Sequence, residues 1–297
     1  MSAPLRLLVA ESEPPAAREK RRKSVGRSSG ETFIKVLQGL APDAQFTRVT
    51  PADADGERLD ADAIASYDGV FLSGSPLHLY EDTAETRREV AFMRAVFASG
   101  TPSFGSCAGL QVATVAAGGT VRPMRERREA GFARRLTLTE EGRVHPLLAG
   151  RPAAFDAPAV HSDEVERLPA NATLLAVNRV TEVQAVEIRH DGGVFWGVQY
   201  HPEISLGEVA AALRRQKDDL LEHGLARDEG DVEDLAGLID ALHREPNRPD
   251  LAWRLGLDDQ VTDPATRQTE LRNFIDHLVL PTRETRRGSA GTPASAA

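Results

Sequence analysis

Residues 101–119 read TPSFGSCAGLQVATVAAGG, and their pattern is the clearest indication of the fold class. Its first six residues have the length and composition of a short buried strand. A glycine-flanked turn follows at residues 105–109, and the small-residue segment after it predicts a helix that ends in two glycines. A strand, a sharp turn and a helix within twenty residues are typical of an α/β protein.

Apolar runs and helical patterns alternate on the N-terminal side of this stretch. Three runs predict strands: LRLLVA (5–10), QFTRV (45–49) and YDGVFL (67–72). Ser28 and Glu31 form a capping-box signature for a helix, and residues 86–98 carry apolar side chains at helical spacing. The polar and basic residues 11–27 predict a long loop that is either mobile or functional.

On the C-terminal side the pattern changes twice. Residues 133–199 contain apolar runs separated by turn-rich pieces, which predicts antiparallel strands. We therefore predict an α/β domain with a mixed sheet over residues 1–205, a helical extension over 206–282 and a disordered tail over 283–297. The extension could cover an apolar patch, form a homodimer, dock a partner or have no specific role.

The composition predicts a cytoplasmic protein. The chain has 297 residues, a net charge of -9 and one cysteine, Cys107. The acidic balance argues against nucleic-acid binding, and a lone cysteine excludes both an intramolecular disulfide and a thiolate-rich zinc site. No segment approaches the ~20 apolar residues of a membrane span, so we expect no membrane association. We also expect no metal and no cofactor.

Two basic stretches stand out against this acidic background. Residues 18–27 resemble a nucleic-acid-binding run, but we interpret them as a lid or partner-facing loop. Residues 122–135 contain Glu126 and Glu129, which predicts a solvated face with internally paired charges.

Cys107 and a distal His-Glu pair are the candidate chemistry. In Gly105-Ser106-Cys107-Ala108-Gly109, small residues permit a sharp turn that exposes the thiol at a helix N-terminus, where the helix dipole favours the thiolate. Alternatively, Cys107 is a buried small hydrophobe.

The distal segment WGVQYHPE (196–203) predicts a strand that ends at His201, with Glu203 close enough to orient the imidazole. Taken singly, His201 could be a strand-end surface histidine and Glu203 a solvated charge. The joint occurrence of thiol, imidazole and carboxylate favours an activated nucleophile.

GSCAGLQ and GVQYHPE resemble the two signatures of class I (triad-type) glutamine amidotransferases, in particular the GMP-synthase-like branch, over residues 5–205. The resemblance implies a flavodoxin-like fold with an open, mainly parallel sheet flanked by helices. It also implies that Cys107 is the nucleophile, His201 the general base and acid, and Glu203 its orienting carboxylate. Gln111 matches the glutamine that helps to hold the substrate.

Further residues match this family at the oxyanion loop and at the substrate loop. The backbone N–H groups of Gly74 and Ser75, together with that of Ala108, match the oxyanion hole, although many members have Gly-Gly-Pro where this chain has Gly-Ser-Pro. His161 and Ser162 resemble a segment that contacts the α-amino and carboxylate groups of the substrate, but His161 could equally be structural. For His78 and Tyr80 we predict ordinary loop packing.

The resemblance implies release of ammonia from the side-chain amide of L-glutamine through a γ-glutamyl thioester on Cys107. Because neither a phosphate-loop motif nor an ATP-pyrophosphatase motif is present, an ammonia-accepting synthase would lie on a separate chain. One alternative is a stand-alone γ-glutamyl amide hydrolase in catabolism. Another is a regulatory protein that uses Cys107 as a redox sensor.

Overall fold

The computed structural model describes residues 3–124 and 128–290. The strands are β1 Arg6–Ala10, β2 Gln45–Val49, β3 Gly69–Leu72, β4 Ser103–Ser106, β5 Thr120–Pro123, β6 Glu129–Leu138, β7 Ala154–His161, β8 Asp163–Arg167, β9 Ala172–Val177, β10 Ala185–His190 and β11 Gly193–Val198.

The helices are α1 Pro15–Val25, α2 Ser29–Leu40, α3 Ala61–Ala65, α4 Ala84–Ala98, α5 Ala108–Ala116, α6 Glu140–Val144, α7 Leu206–Arg215, α8 Lys217–Glu222, α9 Glu229–Arg244, α10 Pro249–Leu255, α11 Asp259–Thr262, α12 Pro264–Arg267, α13 Thr269–Phe274 and α14 Leu280–Ala290. A 3-10 turn spans Pro146–Leu148, and a π-helical segment spans Ile275–Val279 between α13 and α14.

The predicted α/β fold with an open mixed sheet is confirmed. Nine strands form the main sheet in the order β2-β1-β3-β4-β11-β10-β9-β6-β7, and β5 pairs with β8 in a small antiparallel sheet. Strands β2, β1, β3, β4 and β11 run parallel to one another. From β11 to β7 the pairing is antiparallel. The carboxyl ends of β3, β4 and β11 therefore meet at one edge of the sheet, where ligand sites of open α/β sheets form.

Alternation along the central strands builds a core on each face of the sheet. Leu7 and Phe71 pack on one face with Phe104, whereas Leu8 and Val70 pack on the other with α4 and α5. These side chains are fully buried. Both faces of the parallel half are apolar because helices cover both of them.

Residues 15–25, part of the predicted loop, form helix α1. Pro15 occupies the first helical position, and Gly26 ends the helix in the left-handed conformation with φ 78°. Arg18 pairs with Asp53, and Arg21 pairs with Glu208 on α7. The loop prediction was wrong because the partners that hold the helix in place come from distant parts of the chain.

The residues beyond 205 make two kinds of contact. Helices α7, α9 and α10 share an apolar cluster of their own with Ile204. By contrast, Phe274 of α13 lies fully buried against Phe71 and Phe104 of the main sheet. A buried ion pair of Arg151 with Glu270 joins α13 to the same body. The boundary at residue 205 remains a prediction.

The last described helix extends into the segment for which composition predicts disorder. Helix α14 continues to Ala290, since Arg283 donates to the carbonyls of Ala3 and Pro4, and Arg286 donates to that of Tyr67. Residues 291–297 of that segment lie outside the described residues, as does Glu126 of the second basic stretch.

Across residues 3–124 and 128–290, no helix has the length and apolar character needed to span a membrane. The same part of the chain holds no group of three or more His, Cys, Asp and Glu side chains arranged for a metal ion.

Candidate active site

Cys107 sits at the turn between β4 and α5 with φ 52° and ψ -111°, a backbone conformation that non-glycine residues rarely adopt. Its N–H donates to the carbonyl of Val198 on β11 over 2.8 Å. A Cβ on Gly105 would lie 2.7 Å from the backbone of Gly109, and one on Gly109 would lie 2.7 Å from the carbonyl of Leu72. The G-x-C-x-G spacing thus provides the space that this strained turn requires.

His201 follows β11 and faces Cys107. Its backbone N–H donates to the carbonyl of Pro158, and its Nδ1 lies 2.7 Å from Oε1 of Glu203. The imidazole lies beside the side chain of Cys107, and both line one cavity. All three side chains are buried, with exposures of 9% or less. The structure therefore brings together the three residues that the sequence proposed as a triad.

The electrostatics of this cluster favour a charged imidazole. Burial lowers the pKa of His201, but the carboxylate of Glu203 and the neighbouring Cys107 outweigh burial and raise that pKa from 6.5 to about 10. At neutral pH His201 is then an imidazolium. The thiolate is the nucleophilic form of cysteine, and a neighbouring imidazolium is one of the groups that favour it.

Ser106 is a site residue that sequence reasoning missed. Its hydroxyl donates to Oε1 of Glu203 over 2.9 Å, and Oε2 of the same carboxylate is buried without a hydrogen-bond partner. The sequence signal for Ser106 was its position directly before Cys107, at the carboxyl end of β4. Ser106 thus helps to fix the carboxylate that holds His201.

The loop Ser73–Pro76, called here the Gly74 loop, follows β3. A Cβ on Gly74 would lie 2.8 Å from Cε1 of His201 and 3.7 Å from Cβ of Cys107. The hydroxyl of Ser75 donates to the carbonyl of Ser12 over 2.9 Å and accepts the N–H of Leu77. The Ser75 side chain therefore fixes the Gly74 loop. The roles of Gly74, Ser75 and Ala108 as oxyanion donors remain predictions.

Gln111 and His161 line a cavity that Cys107 also lines. Nε2 of Gln111 donates to the carbonyl of Asp163 over 3.1 Å and to Oε1 of Gln199 over 3.2 Å. Nδ1 of His161 lies 2.9 Å from the carbonyl of Asp163, and Nε2 lies 2.7 Å from Oε2 of Glu129. Both ring nitrogens of His161 are therefore occupied by protein oxygens, which favours a structural part for its ring.

Asp163 and His78 are further polar residues at this place. Oδ2 of Asp163 lies 2.7 Å from Nδ1 of His78, whose ring stacks on Tyr80 with a centroid distance of 5.3 Å. Ser162 bonds only weakly to Asp163, over 3.4 Å. His78 therefore packs against Tyr80 and also contacts the carboxylate of Asp163, which lines the Gln111 side of the site.

Two cavities meet at Cys107. The first, the α1/α7 cavity, has a volume of about 310 Å³ and is lined by Gly74, His201, Glu203 and residues of α1 and α7. The second, the Gln111 cavity, has a volume of about 300 Å³. Its lining includes Gln111, Arg128, Glu129, His161, Ser162 and Asp163. A substrate bound across Cys107 would therefore occupy both cavities, one on each side of the reacting bond.

The Gln111 cavity carries charges of both signs. Asp163 and Glu129 supply carboxylates, and Arg128 supplies a guanidinium that contacts Asp219 and His223 of the α8 region. An α-amino acid carries an ammonium and a carboxylate, and groups of both signs can bind it.

The family model for class-I glutamine amidotransferases matches residues 36–218. A γ-glutamyl-L-1-hydroxyisopropylamide hydrolase from a Pseudomonas species is 37% identical over 292 residues, which are 97% of each chain. The glutamine-hydrolysing GMP synthase of Thermomicrobium roseum is 30% identical over 187 residues, 63% of this chain and 32% of that protein. A crystal structure of a glutamine amidotransferase from Thermotoga maritima superposes with a TM-score of 0.63 at 16% identity, covering 93% of this chain and 98% of that one.

Proposed function

Because this chain belongs to the class I glutamine amidotransferase family, we propose that it is an amide hydrolase that cleaves γ-glutamyl amides through a thioester on Cys107. The observation that carries this proposal is the hydrogen bond of His201 with Glu203 in the cavity that Cys107 also lines, at the junction of two cavities. The class I family and its fold agree with the resemblance stated from the sequence.

Hydrolysis without a partner synthase is better supported than ammonia transfer to one. The Pseudomonas hydrolase matches the chain over nearly its whole length, including the helices after residue 205. The GMP synthase of T. roseum shares only about a third of its own length. The principal expectation from the sequence, a glutamine amidotransferase with its synthase on a separate chain, therefore becomes the second candidate.

In the proposed first step, the Cys107 thiolate attacks the γ-carbonyl carbon of the substrate and an oxyanion forms. Backbone N–H groups of Ser75 and Ala108 are the proposed donors to this oxyanion. The C–N bond then breaks, and the departing nitrogen takes the proton of the His201 imidazolium. A γ-glutamyl thioester and a free amine result.

In the second step, water attacks the thioester carbonyl and neutral His201 accepts a proton from this water. The C–S bond then breaks with its electron pair on Sγ of Cys107, and the γ-carboxylic acid of glutamate leaves and loses its proton to solvent. The proton on His201 restores the ion pair with the Cys107 thiolate. Glu203 holds the imidazole orientation in both steps, with Ser106 supporting the carboxylate.

The glutamyl part of the substrate fits the Gln111 cavity. In that cavity, beside Gln111, its α-ammonium would pair with Asp163 and its α-carboxylate with Arg128. Ser162 and His161 line the same cavity, in keeping with the substrate contacts expected from the sequence.

The test is a steady-state assay of wild type and the Cys107→Ala variant with γ-glutamyl isopropylamide. We expect wild type to release glutamate and the variant to lose at least about 10³-fold in kcat/KM. Quenched wild-type samples should carry a 129 Da adduct on Cys107, because the proposed intermediate is a γ-glutamyl thioester at that residue. Cleavage that survives in Cys107→Ala contradicts the thioester mechanism.

The second candidate is distinguished by substrate choice. A hydrolase acting alone should have a higher kcat/KM for γ-glutamyl amides of organic amines than for L-glutamine. A glutamine amidotransferase should prefer L-glutamine, and its rate should rise when its synthase is added. Readily oxidised Cys107 with no turnover of either substrate would instead favour the redox-regulator hypothesis.

A further inference from the structure

The α1/α7 cavity is a second compartment of the site. Its lining includes residues of helix α1, which the sequence did not predict, and of helix α7, the first helix after residue 205. We propose that this cavity binds the leaving amine and that Glu13 and Arg215 select an uncharged hydrogen-bonding substituent, such as a hydroxyl, on that amine. This inference rests on the proposed function, whose substrate class it narrows.

The position of His201 assigns the leaving amine to this cavity. His201 lines the α1/α7 cavity and is absent from the lining of the Gln111 cavity. The imidazolium has to reach the departing nitrogen to protonate it. The amine therefore leaves on the α1/α7 side, while the glutamyl part remains on the other.

The cavity is much larger than an ammonia molecule. About 310 Å³ is open to a small molecule, whereas one water-sized molecule occupies about 30 Å³. Ala17, Ile204 and Ala212 contribute apolar wall next to His201. The cavity thus has room for a branched amine of several carbon atoms.

Glu13 and Arg215 provide opposite charges in this lining. Glu13 Oε2 accepts the N–H of Ser29 over 3.0 Å, and Arg215 Nη1 donates to the hydroxyl of Ser24 over 2.6 Å. In the described part of the chain neither side chain makes an ion pair within 4.0 Å. Burial, with the nearby charge of Arg21, lowers the pKa of Arg215.

Two further charges of the cavity, those of Arg21 and Glu208, pair with each other. Arg21 pairs with Glu208 over 3.0 Å, and Glu208 also accepts hydrogen bonds from Thr32 and Ser205. Lys20 is exposed at the rim. The selective charges inside the cavity are therefore those of Glu13 and Arg215.

This pair discriminates by charge. A carboxylate on the amine could pair with Arg215 only beside the like charge of Glu13, and an ammonium could pair with Glu13 only beside the like charges of Arg215 and Arg21. An uncharged hydroxyl can donate to the buried Glu13 and accept from the half-buried Arg215, so both charges gain a hydrogen bond. An apolar substituent satisfies neither charge.

The experiment uses four γ-glutamyl amides of the form γ-Glu-NH-CH(CH₃)-R, in which R is methyl, hydroxymethyl, carboxylate or aminomethyl. We expect the hydroxymethyl compound to have the highest kcat/KM, about tenfold above the methyl compound and at least about a hundredfold above the two charged compounds. Values within threefold of one another for all four compounds overturn the inference.

Two variants connect this preference to its residues. Glu13→Gln should raise the ratio of kcat/KM for the carboxylate compound over the hydroxymethyl compound at least tenfold. Arg215→Gln should do the same for the aminomethyl compound. Arg214→Gln is the matched control, because Arg214 on the same helix pairs with Glu233 and Asp240 away from the cavity. Ratios that stay at their wild-type values in both variants contradict the assignment.

Failure of this inference differs from failure of the proposed function. If all four amides and L-glutamine resist hydrolysis, the result contradicts both the proposed function and the selection by Glu13 and Arg215. If all five are hydrolysed without preference, the proposed hydrolase stands and only the selection by Glu13 and Arg215 falls.

Discussion

Gly74 lies against the imidazole of the catalytic candidate His201. A Cβ at this position would lie 2.8 Å from Cε1 of the imidazole, which Glu203 holds in place. Gly74→Ala should therefore displace the ring and lower kcat by about 10²-fold, since small displacements of reacting groups cost rates of this order. Steady-state kinetics with a γ-glutamyl amide checks this.

Gly39→Ala is the matched control for that substitution, because nothing lies within 4 Å of a Cβ at that exposed helical position. Its activity should equal that of wild type, and its stability should rise slightly through helix propensity. A Gly74→Ala enzyme with kcat within twofold of wild type would show that the imidazole tolerates displacement.

His201 makes the activity sensitive to alkaline pH. Its pKa is raised to about 10 in the folded protein, so the imidazolium that protonates the leaving amine is lost as the pH rises through that value. For the same reason its contribution to stability is fully present below about pH 6.5 and is lost as the pH rises through about 10. We expect kcat/KM to fall on an alkaline limb near pH 10.

Glu203→Gln should move this alkaline limb to lower pH by at least about one unit, because it removes the charge that raises the pKa of His201. Glu85→Gln, which removes a partly exposed carboxylate that pairs with Arg88, should leave the limb unchanged. A limb at the same pH in wild type and Glu203→Gln would refute the coupling.

Ser106 is a positioning residue rather than a catalytic one. Ser106→Ala removes one of the two hydrogen bonds of Glu203 Oε1 while Oε2 stays unpartnered. We expect kcat to fall about tenfold and Ser106→Thr to recover most of it, since threonine retains the hydroxyl. The control is Ser103→Ala on the same strand, whose hydroxyl bonds weakly to the carbonyl of Val194. Equal losses in Ser106→Ala and Ser103→Ala would rule out a specific role.

At the scale of elements, α1 is held by ion pairs to other parts of the chain. Arg18 donates to Asp53 and to the carbonyl of Glu13, and both side chains of the pair are nearly buried. Arg18→Ala leaves Asp53 without this partner, so we expect the free energy of unfolding to fall by about 1–3 kcal/mol. Urea denaturation of both proteins provides the measurement.

Lys23→Ala serves as the comparison on the same helix. Lys23 is 75% exposed and pairs only with Glu19 within the described residues, so its loss should change stability by less than about 0.5 kcal/mol. If the two substitutions destabilise the protein equally, the anchoring of α1 does not depend on the Arg18–Asp53 pair.

For the whole molecule, the helices at the C-terminus complete the main core. Phe274 packs edge-on against Phe71 with ring centroids 5.1 Å apart, and it is fully buried. Phe274→Ala should lower the free energy of unfolding by about 3–5 kcal/mol through lost burial and a cavity. Trp253→Ala, at a side chain that is 82% exposed, should change it little. Nearly equal unfolding midpoints would contradict the packing role of α13.

The same packing reaches the active site. Tyr200, which precedes His201, donates its hydroxyl to Glu270 on α13 over 2.8 Å, and Glu270 also binds Arg151. The strand end that carries His201 is therefore tied to a helix about seventy residues later in the chain. This connection belongs to neither motif of the site.

The sequence alone predicts the alternation of strands and helices, the glycine-flanked turn at Cys107 and the candidates His201 and Glu203. These are local features, because strand patterning, glycine spacing and a strand-ending His-Pro-Glu act over a few residues. The contact between Cys107 and His201 was inferred from resemblance, and adjacent parallel strands β4 and β11 provide it.

The surroundings of that cluster depend on the tertiary structure. The hydrogen-bond partners of Ser106, Asp163 and Arg21 lie more than fifty residues away along the chain. Helix α1 was predicted as a loop because its basic residues look solvated until Asp53 and Glu208 neutralise them. Pairing of buried charges depends on distance in space, and the order of residues along the chain does not carry that distance.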